Sequence, residues 1–222
     1  MSQPKRKHLL NRRRAAIHRI AIVFAVILLI NHIMHIGLLF PIQAIWNLEE
    51  RAGISHTRVV ERSWVPEIHK THIAYLTEND EATMFGSCRL TIYGWMTYFG
   101  TALDCTEDAS LYAGRSYMHK EGAKVWYFFG RVDNPEIERV EISIQKNIID
   151  EMSLAVGREE VRRITKVELE QQSGRRYFLV KDSGEWDDEI DLVPRPVVIG
   201  YDKEGHEVIR VEVENGNSSS FG

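Results

Sequence analysis

The chain has 222 residues, 27% of them charged and 44% hydrophobic, with a formal charge of -4. These proportions exclude a disordered or collagen-like chain, and two cysteines exclude a disulfide-dense miniprotein. The averages conceal a division. Met1 to Arg19 carries seven cations (Lys5, Arg6, Lys7, Arg12, Arg13, Arg14 and Arg19) and no acid. Ile20 to Trp46 carries no Asp, Glu, Lys or Arg over 27 residues, and Asn47 to Gly222 has a net charge of -11.

About 20 apolar residues at roughly 1.5 Å each match a bilayer core of about 30 Å. Residues 1–19 are therefore expected as a basic cytoplasmic head and residues 20–46 as a transmembrane signal-anchor helix, with Trp46 at the far interface. Lys and Arg beside a span resist translocation, so the acidic body is expected outside the plasma membrane in a single-pass topology. The bilayer is then the first partner. Three other readings compete: a buried core helix, a cleaved signal peptide ending near Ile42-Gln43-Ala44, and a nucleic-acid arm formed by the basic head. A body at -11 repels nucleic acid, so none is expected as a partner. Asn31, His32 and His35 interrupt the apolar run. Polar groups in hydrocarbon tend to face a partner, so they are a candidate transmembrane partner face, in the membrane or envelope.

Residues 47–70 read as a juxtamembrane connector and 71–213 as an extracytoplasmic β domain. Ile73 to Thr77, Thr83 to Phe85 and Arg89 to Phe99 are predicted strands. Lys124 to Val132 (KVWYFFGRV) is the most apolar body segment and is predicted as a central strand, ended by the turn Asp133-Asn134-Pro135. Val140, Ile142 and Ile144 alternate with polar residues, the mark of a half-buried strand. Val161 to Leu169 and Tyr177 to Val180 continue the pattern, and Asn147 to Glu160 has room for one short helix. Val197 to Tyr201 and Val208 to Val213 flank Asp202-Lys203-Glu204-Gly205, a hairpin signal with Gly at positive φ. Residues 214–222 read as a disordered tail. Short strands at this spacing predict a mainly β fold, an immunoglobulin-like β-sandwich, with an α+β ectodomain as the alternative.

Cys88 and Cys105 can pair as a disulfide if the compartment is oxidising. No metal-ligand spacing, phosphate loop or nucleophile elbow is present, so no catalytic, cofactor-binding or metal residues are expected. His69 and His72 read as solvated loop histidines. The acidic run Glu185, Asp187, Asp188, Glu189 and Asp191 reads as a solvated loop. The aromatic cluster from Tyr93 to Phe129 reads first as sandwich core; the alternative is an exposed face, with Tyr93, Trp95 and Tyr98 as a candidate partner-binding patch, since Tyr and Trp give wide contact area with few rotors.

Gly130 to Ile137 (GRVDNPEI) and Gly200 to Gly205 (GYDKEG) resemble segments of small single-pass extracytoplasmic β-domain proteins of Gram-positive bacteria. The resemblance implies topology and carries over no functional residue. The expected function is a non-catalytic, membrane-anchored binding or regulatory module. A cell-envelope hydrolase and an accessory subunit of a membrane complex are the alternatives.

Overall fold

The computed structural model describes residues 4–34, 38–120, 123–149, 156–166, 169–172, 174–183 and 195–213. Two helices, α1 (Pro4–Met34) and α2 (Pro41–Ala52), precede twelve strands. The strands are β1 (Arg58–Trp64), β2 (His72–Glu78), β3 (Ala82–Thr91), β4 (Gly94–Asp104), β5 (Leu111–Lys120), β6 (Ala123–Val132), β7 (Arg139–Ile149), β8 (Val156–Lys166), β9 (Glu170–Gln172), β10 (Arg175–Asp182), β11 (Arg195–Tyr201) and β12 (Glu207–Glu212). They form three antiparallel sheets in the orders β1-β2-β3-β4, β5-β6-β10-β9 and β12-β11-β7-β8. The mainly β expectation holds. Three sheets stand where an immunoglobulin-like sandwich would have two.

The second sheet is the middle layer. On one face Tyr127, Phe129, Tyr177 and Leu179 meet Ala74, Leu76 and Phe85 of the first sheet. On the other, Phe128, Val132, Phe178 and Val180 meet Ile142, Ile144 and Val198 of the third. A strand buried on both faces has no solvent side to leave polar, so KVWYFFGRV reads as a continuous apolar run rather than an alternation. The β7 alternation is the opposite case. Val140, Ile142 and Ile144 are fully buried, whereas Arg139 and Glu141 on the outer face pair with each other at 3.5 Å.

The uncharged run 20–46 is not one helix. α1 ends at Met34, and α2 begins at Pro41 and packs on the outer face of the first sheet through Ala44, Ile45 and Leu48. Among the described residues no helix is long and apolar enough to cross a membrane. The expected connector 47–70 contains the end of α2 and all of β1. The expected strand Arg89 to Phe99 is broken by a two-residue turn at Ile92-Tyr93, where Thr91 pairs with Gly94 and Gly94 takes φ 117°. The room for a helix at 147–160 is taken instead by the facing ends of β7 and β8, which pair as far as Ile149 with Val156. The tail 214–222, the acidic run at 185–191 and His35 lie outside the described residues.

Candidate binding cleft and its surroundings

α2 starts where Pro41 occupies its first turn, and the Gln43 side chain accepts the Phe40 N–H at 3.1 Å. Pro at that position costs no hydrogen bond, because the first-turn N–H groups have no partner inside the helix. The helix ends at Gly53, which is left-handed at φ 70°. Glu49, fully buried near the helix end, accepts from the N–H of Thr57 at 3.2 Å and from the Thr57 hydroxyl. That carboxylate ties the helix to the turn leading into β1.

Two glycines let the helix sit this close. A Cβ on Gly100 would lie 2.0 Å from Leu48 Cδ2, and one on Gly86 would lie 3.2 Å from both Ile45 Cδ1 and Leu48 Cδ2. Thr97 adds a hydrogen bond from its hydroxyl to the Ala44 carbonyl at 2.8 Å. Where α2 runs out, the sheet is left partly uncovered, and a cleft of about 550 Å³ opens beside Leu48, Met84, Ala82 and Ala102. Arg51, Glu81, Asp104 and Thr106 also line it. The Asp104 carboxylate accepts from the Thr106 hydroxyl at 2.7 Å and the Thr106 N–H at 2.9 Å, and these bonds hold its pKa below the usual value. The cleft thus offers an apolar floor, two carboxylates and one guanidinium. That set suits a ligand with an apolar body and a cationic or hydrogen-bond-donating end.

The expected aromatic patch is not one surface. Tyr93 is exposed at the β3–β4 turn, and Trp95 packs with the group under α2. Tyr98 packs on the opposite face, against the core between the first two sheets. Strand alternation after Trp95 and Thr97 already points Tyr98 inward, and the pairing shift between Ser87 and Cys88 keeps the next residue, Phe99, inward as well. There Arg89 stacks over the Tyr98 ring at 5.5 Å, and the ring meets His72 edge-on at 4.7 Å.

His72 is not a solvated loop residue. It is 1% exposed and shares the inward face of β2 with Ala74 and Leu76. Burial, with the nearby Arg89 and His69 charges, lowers its pKa to about 4, so the ring is neutral at pH 7. Its phase with Ala74 and Leu76 is the signal in the sequence that points inward.

Cys88 and Cys105 are both buried and free, so the expected disulfide does not form. Cys88 lies under α2, where its thiol donates to the Pro41 carbonyl at 3.6 Å. Cys105 follows β4 and bonds the Thr83 hydroxyl at 3.6 Å. Five residues of strand separate Thr83 from Cys88, roughly 17 Å at the usual rise, well beyond disulfide reach. Burial raises both thiol pKa values, that of Cys88 to about 12, so neither is poised as a nucleophile.

Asn31 and His32 lie in the last turns of α1, and the placement of their side chains is outside the described residues. Asp202, Glu204 and His206 bring ligand atoms within 4.8 Å of one another at the β11–β12 turn. Asp202 already accepts from the His206 N–H at 2.8 Å and contacts its Nδ1 at 3.2 Å, which accounts for the cluster as turn chemistry.

No family model, curated protein or solved structure matches the chain.

Proposed function

We propose that the chain is a single-pass, membrane-anchored binding module whose β body displays the α2 cleft on the outer side of the membrane. The observation that carries this reading is the surface of α1. Ile20, Ile22, Val23, Phe24, Ile27 and Leu29 are each more than half exposed, although a helix in water normally hides its apolar residues on one covered face. These positions circle the helix, which suits a hydrocarbon surround better than one protein neighbour. The basic head before it favours retention on the cytoplasmic side, leaving the body outside.

The body supports a binding role rather than a catalytic one. Both thiols are protonated and buried, His72 is sealed in the core, and the cleft pairs an apolar floor with the Asp104 carboxylate, which the Thr106 hydrogen bonds favour in its ionised form. α2 runs from the anchor side of the first sheet toward the cleft, so the cleft opens at the end away from the anchor. A ligand would then be met at a distance from the lipid.

Alkaline carbonate extraction of membranes, followed by protease treatment of intact cells, tests the topology. The chain is expected to stay with the membrane and its body to be cut from outside. Release by carbonate, or a protected body with a cleaved head, overturns the reading.

A further inference from the structure

The anchor is short. The uncharged part of α1, Ile20 to Met34, is 15 residues, or about 22 Å of helix against a hydrocarbon core of about 30 Å. Three residues separate Met34 from Leu38, so at most about 14 Å of chain joins the helix end to the body. At Leu38 the chain is already fastened to β4 by paired backbone hydrogen bonds with Trp95. The end of the first sheet that carries Trp95 is therefore held close to wherever α1 ends.

That end differs from the other. Leu39, Phe40, Trp64, Leu90, Tyr93 and, at 91% exposure, Ile92 all present apolar surface there. The chain carries no Asp or Glu from Ile68 to Thr77, nor from Ala82 to Leu103, while Lys70 and Arg89 are exposed beside Leu90. Thr71 bonds the backbone of Leu90 in both directions, which places Lys70 next to the turn. Of the acids around this sheet, Glu78, Asp80, Glu81 and Asp104 lie at the far end and Glu61 midway along β1, while Glu67, in the loop before Lys70, is paired with Lys181 at 2.7 Å.

We infer that this end is a second membrane contact, in which the Ile92-Tyr93 turn, Leu39, Phe40 and Trp64 enter the interfacial zone of the bilayer and Lys70 and Arg89 meet anionic headgroups. The inference rests on the anchor reading and deepens it. The body would sink into the lipid surface and make up the length that α1 lacks. Tyr and Trp favour the headgroup level, and cations beside them gain from anionic lipid. Two attachment points, the helix and the turn, would fix the tilt of the body and keep the cleft facing outward.

The test uses the full chain reconstituted in phosphatidylcholine vesicles with and without phosphatidylglycerol. An environment-sensitive fluorophore is placed by Ile92→Cys and, separately, by Tyr93→Cys, with Glu107→Cys at the far end as control. The native thiols are buried, and the parent chain measures their background. The expected result is a blue-shifted emission at 92 and 93, lost on adding shallow doxyl-lipid quencher, with no change at 107. Lys70→Glu should reduce the quenching in phosphatidylglycerol vesicles and leave it unchanged in phosphatidylcholine alone. If the chain does not float with the vesicles, both the anchor and this contact are overturned. If it floats while the probe at 92 stays open to aqueous iodide, the anchor stands and the contact is overturned. Shielding of 92 in native membranes but not in lipid vesicles assigns the turn to a protein partner, which also overturns it.

Discussion

Leu38 and Trp95 exchange backbone hydrogen bonds, Leu38 N–H to Trp95 O at 3.0 Å and Trp95 N–H to Leu38 O at 2.8 Å. Residues 57 apart in sequence thus close an antiparallel bridge at the point where α1 gives way to the body. Within four residues of Met34 the chain is paired with the sheet.

Replacing Leu38 by Pro removes one of the two donors and trims a side chain packed at the edge of the group under α2. The lost bond alone is expected to cost about 1 kcal/mol, with faster hydrogen exchange at the Trp95 amide. Unchanged exchange there would mean that the side chains beneath α2, and not this bridge, secure the exit.

The seat of α2 gives a second prediction. Gly100→Val places carbon where Leu48 Cδ2 now lies, and overpacking of this kind costs roughly 1–3 kcal/mol. Leu48→Ala alone should cost about 2–5 kcal/mol through the cavity it leaves. The double variant should lose less than the sum, because the added valine fills the space the leucine vacates. Urea denaturation of the four proteins gives the cycle, and strict additivity would show that the two positions do not share the contact.

Stability should fall on the acid side through His72. Its folded pKa is near 4 against an ordinary 6.5, so the unfolded chain binds the proton first as pH drops. The loss begins near pH 6.5, grows to roughly 3 kcal/mol, and levels off below about pH 4. His72→Leu should flatten this limb. The difference in urea midpoint between parent and variant, followed from pH 7.5 to 4, reads it directly, about 1.4 kcal/mol per pH unit at its steepest. A difference that stays constant with pH would place His72 in contact with water.

Thiol chemistry should be silent in the folded state. With Cys88 near a pKa of 12 and both sulfurs buried, Ellman's reagent is expected to report no free thiol until denaturant is added, and then two. Reductant should leave the melting temperature unchanged. Stabilisation lost on reduction would require a bond that the placement of the two residues forbids.

Part of this molecule was legible in its residues. The β11–β12 hairpin follows from Asp202 to Gly205, because only a residue without Cβ takes φ 90° at Gly205 at little cost. β6 and β10 announce themselves by apolar runs, and β7 by alternation. The cleft was not legible. Nothing local to Leu48 shows that Gly86 and Gly100, far along the chain, leave room for it. Trp95 and Tyr98 were grouped by proximity in sequence, but three positions along a strand is an odd step, which places them on opposite faces of the sheet.

The sequence by itself determined the partition of charge, the apolar stretch from Ile20 onward and most turns, since these depend on side-chain chemistry and on φ preferences within a few residues. Tertiary structure alone decided how that stretch is divided. Hydropathy is the same for a helix facing lipid and for one facing a sheet, because burial of apolar area is non-directional. Ala44, Ile45 and Leu48 belong to the body only because β3 and β4 present glycines beneath them. Strand order was decided in the same way, by long-range pairing such as that of β6 with β10, for which no local signal exists.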